Sequence, residues 1–404
     1  MISGKNIVVV GIQPWDIEIG SNCKNIATEF AKNNRVLYVN SPLDRASRFR
    51  ERNTEKIKKR IRVKKGIDPN LIKIDDHLWN LYPKSMIESI NSIKSATVFD
   101  YLNKRNSKKY ASDILKACKQ LGFEDFILFN DSSMFLGQHL KEFLQPSAYI
   151  YYMRDYLIKN PYWKRHGVRL EPKLIGNADL VVCNSTLYAE YGGRYNKHSY
   201  MVGQGCDTSL FNDLEREIQV AQDIKDIKKP IIGYVGYLTS RRLDIEIISH
   251  MAKSRPNWNI VLVGPEDEKF AVSELHQLLN VHFLGSRDSS ELPNYIKGFD
   301  VTMNPQLIND ATIGNYPRKI DEYLAMGKPV LASATKAMEY FKDHTYLGVR
   351  PEDYVELGEK ALRENTKELE TARRDYGTSH SWENNVKEIY KYLEIVVKEK
   401  NLKV

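Results

Sequence analysis

Short apolar runs alternate with amphipathic stretches along most of this chain, and the alternation occurs twice. The first series starts with NIVVVG (Asn6 to Gly11), a helical pattern from Ser21 to Lys32 and VLYVN (Val36 to Asn40). It resumes with FILFN (Phe126 to Asn130), AYIYYM (Ala148 to Met153) and LVVCN (Leu180 to Asn184), with long, polar, helix-rich insertions between. The second series is tighter: IIGYVGYL (Ile231 to Leu238), NIVLVG (Asn259 to Gly264), VHFLG (Val281 to Gly285), DVTMNP (Asp300 to Pro305), PVLAS (Pro329 to Ser333) and TYLGV (Thr345 to Val349). Strand-like runs separated by helical ones predict parallel sheets covered by helices, so the fold class is α/β with two doubly wound, Rossmann-like domains. The expected division is 1–210 for the first domain, 211–229 for a charged linker ending on Pro230, 230–375 for the second domain, and 376–404 for a terminal helix. A chain of 404 residues suits two or three domains at about 100–200 residues each.

Ligands of open parallel sheets sit at the carboxyl ends of the strands. Neither series opens with GxGxxG and no Walker loop is present, which disfavours dinucleotide and ATP chemistry. The stretch from Phe299 to Ser333 reads instead as a strand, a polar loop and a helix opening on Pro317. Free amides around Gly314 to Arg318 and the positive end of the helix dipole suit an anion, worth about 0.3–1 kcal/mol and up to about 2 when partly buried. Lys319 adds a full charge, and Glu322 is placed to accept hydrogen bonds from ribose hydroxyls. An ordinary capped helix is the alternative, because Ile320, Tyr323 and Leu324 form a core stripe and Gly327 stops the helix.

With 42% hydrophobic and 28% charged residues the chain reads as folded rather than disordered. It has no run of about 18 apolar residues and no signal peptide, so a cytoplasmic protein is expected, possible association with the inner membrane face aside. Cys23, Cys118, Cys183 and Cys206 are too scattered for a disulfide or zinc framework. The net charge of +8 concentrates between Arg45 and Lys65, where ten Arg and Lys from Arg48 to Lys65 face Glu51 and Glu55. Such a run fits anionic lipid headgroups at about 1 kcal/mol per basic residue, or a solvated loop. Nucleic acid is not expected as a partner, since no aromatics interleave with the charges and no recognition motif occurs.

The ordered blocks GYVGYLTSRRLDIEIISHMAKSRPNWNIVLVGP, NVHFLGSRDSSELPNYIKGFDVTMNP and GNYPRKIDEYLAMGKPVLAS resemble the donor half of GT-B glycosyltransferases, family 4-like, of the teichuronic acid, capsule and surface-polysaccharide type. PWDIEIGSNCKNIATEFAKNNRVLYVN, YIYYMRDY, NADLVVCNSTLYAE and VGQGCDTSLF are similar to the acceptor half, and SWENNVKEIYKYLE to the segment that crosses back onto the first domain. The resemblance implies two domains facing across a cleft. It also implies transfer of a sugar from a nucleoside diphosphate, UDP favoured, to a hydroxyl of a growing, lipid-linked surface glycan. No metal or other cofactor is implied, and the family retains configuration. A GT-B-shaped nucleotide-sugar epimerase and a non-catalytic nucleotide-sugar-binding or docking module are the alternatives.

On that resemblance the donor site comprises Gly236, Arg241, Arg242, Arg287, Thr312, Gly314, Asn315, Tyr316, Lys319 and Glu322. Basic groups would meet the charge of the departing diphosphate, where fixed donors are worth several kcal/mol of barrier. Gly314 stands where the family often carries a first glutamate, so sugar contacts fall to Thr312, Asn315 or the first domain. Asp155, Asp16 and His166 are the candidate catalytic groups should an acceptor base be needed. A salt bridge or helix cap is the alternative for Asp155, and packing for His166. Trp15 and Gly20 lie in the loop after the first strand, Trp15 equally suited to domain packing. The triplet Glu266, Asp267, Glu268 imitates a metal site but suits the first turn of a helix, and no metal is assigned.

Overall fold

The structure is a computed structural model and describes residues 2–16, 21–212, 217–309 and 312–404. It contains two compact units, Met1–Gly203 with Asn385–Val404, and Gln204–Asn384.

The first unit is built on an eight-stranded sheet. Its order is Ser199–Met201, Leu180–Cys183, Ala148–Met153, Ile127–Asp131, Asn6–Gly11, Arg35–Val39, Leu78–Leu81 and Leu71–Asp75, all parallel except the last pair. Every residue of Ala148–Met153 is buried, as expected of a strand covered on both faces. The terminal helix Trp382–Lys400 contributes Tyr390, which stacks on Phe30 at 5.5 Å and receives a hydrogen bond from Asn34 Nδ2 at 2.9 Å. The basic run forms two helices, Arg45–Arg50 and Glu55–Lys64, capped by the Asp44 carboxylate and the Thr54 hydroxyl. Ile57 and Val63 anchor the second of these, while Phe49 is 76% exposed.

The second unit has six parallel strands in the order Val281–Phe283, Asn259–Val263, Ile231–Val235, Val301–Asn304, Val330–Ser333 and Tyr346–Gly348. Sequence order reverses between Ile231–Val235 and Val301–Asn304, which makes their carboxyl ends the topological switch point where such sheets bind ligands. The fold class expected from the sequence, two Rossmann-like parallel-sheet units, is the one found.

Residues 211–229, expected as a linker, are not a free tether in their described part. Phe211, Ile218 and Ile224 are buried in the core beneath the second sheet. The four cysteines are buried and unpaired. Among the described residues no helix is long and apolar enough to cross a membrane.

Candidate functional site

At the switch point of the second unit, Ile231–Val235 ends in Gly236, whose φ of +132° lies where side chains are strained. The neighbouring turn carries Gly264 at φ +148°, and a Cβ there would come within 1.9 Å of the Gly236 carbonyl oxygen. Two glycines therefore let the turns close on each other, leaving the backbone bare at the crevice.

The loop after Gly236 is stitched down from both sides. Leu238 N donates to Pro265 O at 2.9 Å, and Leu307 N donates to Arg242 O at 2.7 Å. Asp267 does more than bias a helix turn. One carboxylate oxygen accepts from the amides of Lys269 and Phe270, and the other from Thr239 Oγ1 at 2.9 Å, Ser240 N at 2.8 Å and Ser240 Oγ at 3.0 Å. These bonds hold its carboxyl down at about 2, against the opposing effect of burial, which is the largest single influence. Arg241 and Arg242 follow this pinned turn, both exposed, with no ion-pair partner among the described residues.

Across the crevice stands the helix Arg318–Ala325. Pro317 is its N-cap rather than its first helical residue, and among the described residues no side chain caps the first turn. Lys319 reaches back to the glycine turn: its Nζ lies 5.0 Å from the centre of the Tyr234 ring and 3.2 Å from where a Cβ on Gly236 would sit. Glu322 is half-buried beside Lys319 and Arg318. Burial raises its carboxyl, and the two cations act the other way.

The remaining sequence candidates divide. Asn315 is partly buried and its amide donates to Thr312 O at 3.1 Å, so Gly314 sits inside a tight turn. Thr312 is buried and its hydroxyl bonds Leu307 O, which corrects its expected role as a sugar contact: the group is spent closing its own loop. Tyr316 is likewise a core residue, its hydroxyl donating to Asp321 Oδ1 at 3.1 Å. Arg287 is tied to Tyr295 Oη at 2.6 Å and to Asp223 at 2.9 Å, two strands from the switch point.

In the first unit, Asp155 pairs with Arg154 at 3.0 Å, and Arg154 also bonds Asp131 at 2.8 Å. Asp16 is exposed and lies 3.7 Å from Lys59. Trp15 packs edge-on against Tyr38 at 5.1 Å with its amide donating to Asn40 Oδ1. His166 is not placed to act as a base: it is 3% exposed, stacks on Phe99 at 3.7 Å and bonds Ile93 O at 2.8 Å. Gly20 lies outside the described residues.

Sequence reasoning missed two supports of the donor-side crevice. Asp267 is one, and its partners, 27 and 28 residues upstream, leave no local signal. The other is buried Asp321, bonded to His380 Nδ1 at 2.7 Å and to Tyr316, which braces the helix from behind. His380 O in turn accepts from Cys206 N at 2.8 Å.

The family match falls on the second unit, while the other similarities extend beyond it. Residues 229–364 match the model of glycosyl transferases group 1. TuaH of Bacillus subtilis (strain 168), provisionally assigned as a teichuronic acid biosynthesis glycosyltransferase, is 29% identical over 237 residues, which span 55% of this chain and 58% of that protein. Anabaena Alr3699/HepE, solved in complex with UDP, superposes with a TM-score of 0.63 at 13% identity, covering 96% of this chain and 99% of its own. Sucrose-phosphate synthase (tll1590) from Thermosynechococcus elongatus gives 0.64 at 16%, covering 98% and 100%. The switch-point crevice, with its paired glycine turns, Lys319 and Glu322, lies wholly inside residues 229–364, the segment similar to glycosyl transferases group 1.

Proposed function

We propose that this protein transfers a sugar from a nucleoside diphosphate, UDP in the first instance, to a hydroxyl of a lipid-linked cell-surface glycan. The observation that carries the reading is the crevice of the second unit, where Lys319 Nζ stands over the Gly236 turn and Glu322 waits one helical turn on. HepE, of the same fold, is solved with UDP. The diphosphate would lie against the bare Gly236 backbone, the uncapped amides of Arg318–Ala325 and Lys319, with Glu322 accepting from the ribose hydroxyls.

As the anomeric C–O bond breaks, its electron pair goes to the diphosphate oxygen, and the charge growing there is met by Lys319 and by Arg241 or Arg242. These cations take the part a metal would play elsewhere. In the retaining course the acceptor oxygen forms the new bond on the face the diphosphate leaves, and the acceptor proton passes to the departing phosphate oxygen. An inverting course would need a carboxylate at the acceptor, for which half-buried Asp155 and exposed Asp16 remain the candidates.

The exposed basic helices of the first unit suit contact with an anionic membrane. Arg48, Arg52, Lys56 and Lys65 have no ion-pair partner among the described residues, and Phe49 projects beside them.

Calorimetric titration with UDP, GDP, TDP, CMP and ADP and their sugar conjugates tests the donor assignment. One nucleoside diphosphate should bind selectively, and Lys319→Ala and Glu322→Ala should each lose it. Binding of no nucleotide overturns the transferase reading.

A further inference from the structure

A cavity of about 650 Å³ opens in the first unit, at the carboxyl ends of Asn6–Gly11 and Ile127–Asp131. Sheet order reverses between those two strands, so Ile12 and Ser133 bring the cavity to this unit's own switch point. Its other walls include Ile90, Met134, Phe135, Tyr162 and Trp163.

The polar residues around it are largely spent. Asn103 Nδ2 donates to Phe135 O at 2.8 Å. Asn106 bonds both the amide and the carbonyl of Glu88, each at 3.0 Å. Ser89 Oγ donates to Asp44 at 2.5 Å, and Ser41 Oγ to Gly11 O at 3.1 Å. A polyhydroxylated sugar buried here would leave hydroxyls without partners, whereas an apolar chain meets apolar and aromatic walls. Two cations at the cavity are exposed and have no ion-pair partner among the described residues: Arg165, whose Nη1 donates to Asn91 O at 3.1 Å, and Arg50, which ends the helix Arg45–Arg50 with no such bond.

We infer that this cavity takes the lipid end of a lipid-phosphate acceptor, its apolar chain between Phe135, Tyr162 and Trp163 and its phosphate on Arg50. The inference deepens the proposed function and rests on its acceptor being lipid-linked.

Farnesyl phosphate, kept below its aggregation threshold, is the probe, with Trp163 fluorescence and calorimetry as readouts. Farnesol, inorganic phosphate and glucose 1-phosphate are the comparison ligands. Farnesyl phosphate should bind at least roughly tenfold more tightly than any of the three, and Arg50→Ala should remove roughly tenfold while leaving farnesol unchanged, as loss of one charge-assisted hydrogen bond implies. Ala46→Trp, which fills the cavity from the helix, should abolish binding, and Lys65→Ala, outside the cavity, should not affect it. Glucose 1-phosphate or inorganic phosphate binding as tightly, or Ala46→Trp binding normally while keeping its wild-type melting temperature, overturns the assignment. UDP is titrated separately in the same samples. UDP binding without farnesyl phosphate binding sinks the cavity assignment alone, and farnesyl phosphate binding without any nucleotide sinks the transferase reading while supporting the cavity.

Discussion

Glu171 is 1% exposed on the helix Pro161–Asn177, the same helix whose first turn lines the cavity of the first unit. Tyr151 Oη donates to one carboxylate oxygen at 3.2 Å and the other has no hydrogen-bond partner among the described residues. Burial pushes the carboxyl from 4.5 up to about 7, with the tyrosine bond opposing. A raised value means the folded state holds the proton more tightly than the unfolded chain does. The stabilisation is therefore complete below about pH 4.5, falls as pH rises, and is gone above about pH 7. The difference of about 2.5 in pKa corresponds to about 3.4 kcal/mol in full, of which about 2.5 kcal/mol is lost between pH 5 and 8. Glu171→Gln keeps the shape and the acceptor for Tyr151 but cannot ionise. Urea unfolding of both proteins, followed by circular dichroism at pH 5, 6, 7 and 8, should show the variant gaining about 2.5 kcal/mol on the wild type across that range. Parallel stability curves would refute the argument, because they would mean that Glu171 is solvated or already charged in the folded state.

Three further outcomes follow from the donor crevice and the basic helices. Gly264→Ala should lower the melting temperature and abolish nucleoside diphosphate binding, since the new Cβ meets the Gly236 carbonyl and the strained backbone alone costs about 1–3 kcal/mol. Asp267→Ala should release the Thr239–Ser240 turn at a cost of at least about 1.5–3 kcal/mol and weaken donor affinity in calorimetry. Because its carboxyl is held at about 2, the wild-type clamp should persist at pH 4 and fail only as pH falls towards 2. Vesicles rich in anionic lipid should bind the wild type in low salt and release it in high salt, and Arg48→Glu with Arg52→Glu should remove at least about 2 kcal/mol of that binding. Equal sedimentation of wild type and double variant would argue for a solvated surface.

The sequence alone determined the two parallel sheets and the helix at the switch point. A strand buried on both faces must be apolar along its length, so the pattern from Asn6 to Cys183 and again from Ile231 to Gly348 is written locally. The Pro317, Lys319 and Glu322 spacing is equally local, and only the cap position shifted by one residue. What the tertiary structure decided is which polar groups remain free. Thr312, one candidate sugar contact, closes its own loop, His166, legible either as a base or as a packing residue, is sealed against Phe99, and Asp267, one member of an acidic triplet, clamps a turn 27 residues away. The hairpin Leu71–Leu81 escaped notice because its edge strand alternates too weakly, and Phe211, Ile218 and Ile224 hid among charges until one face of the second sheet gave them somewhere to pack. Periodicity is a property of neighbours along the chain, whereas a hydrogen bond or a buried contact selects a partner through space, and that choice exists only once the fold has brought the partner within reach.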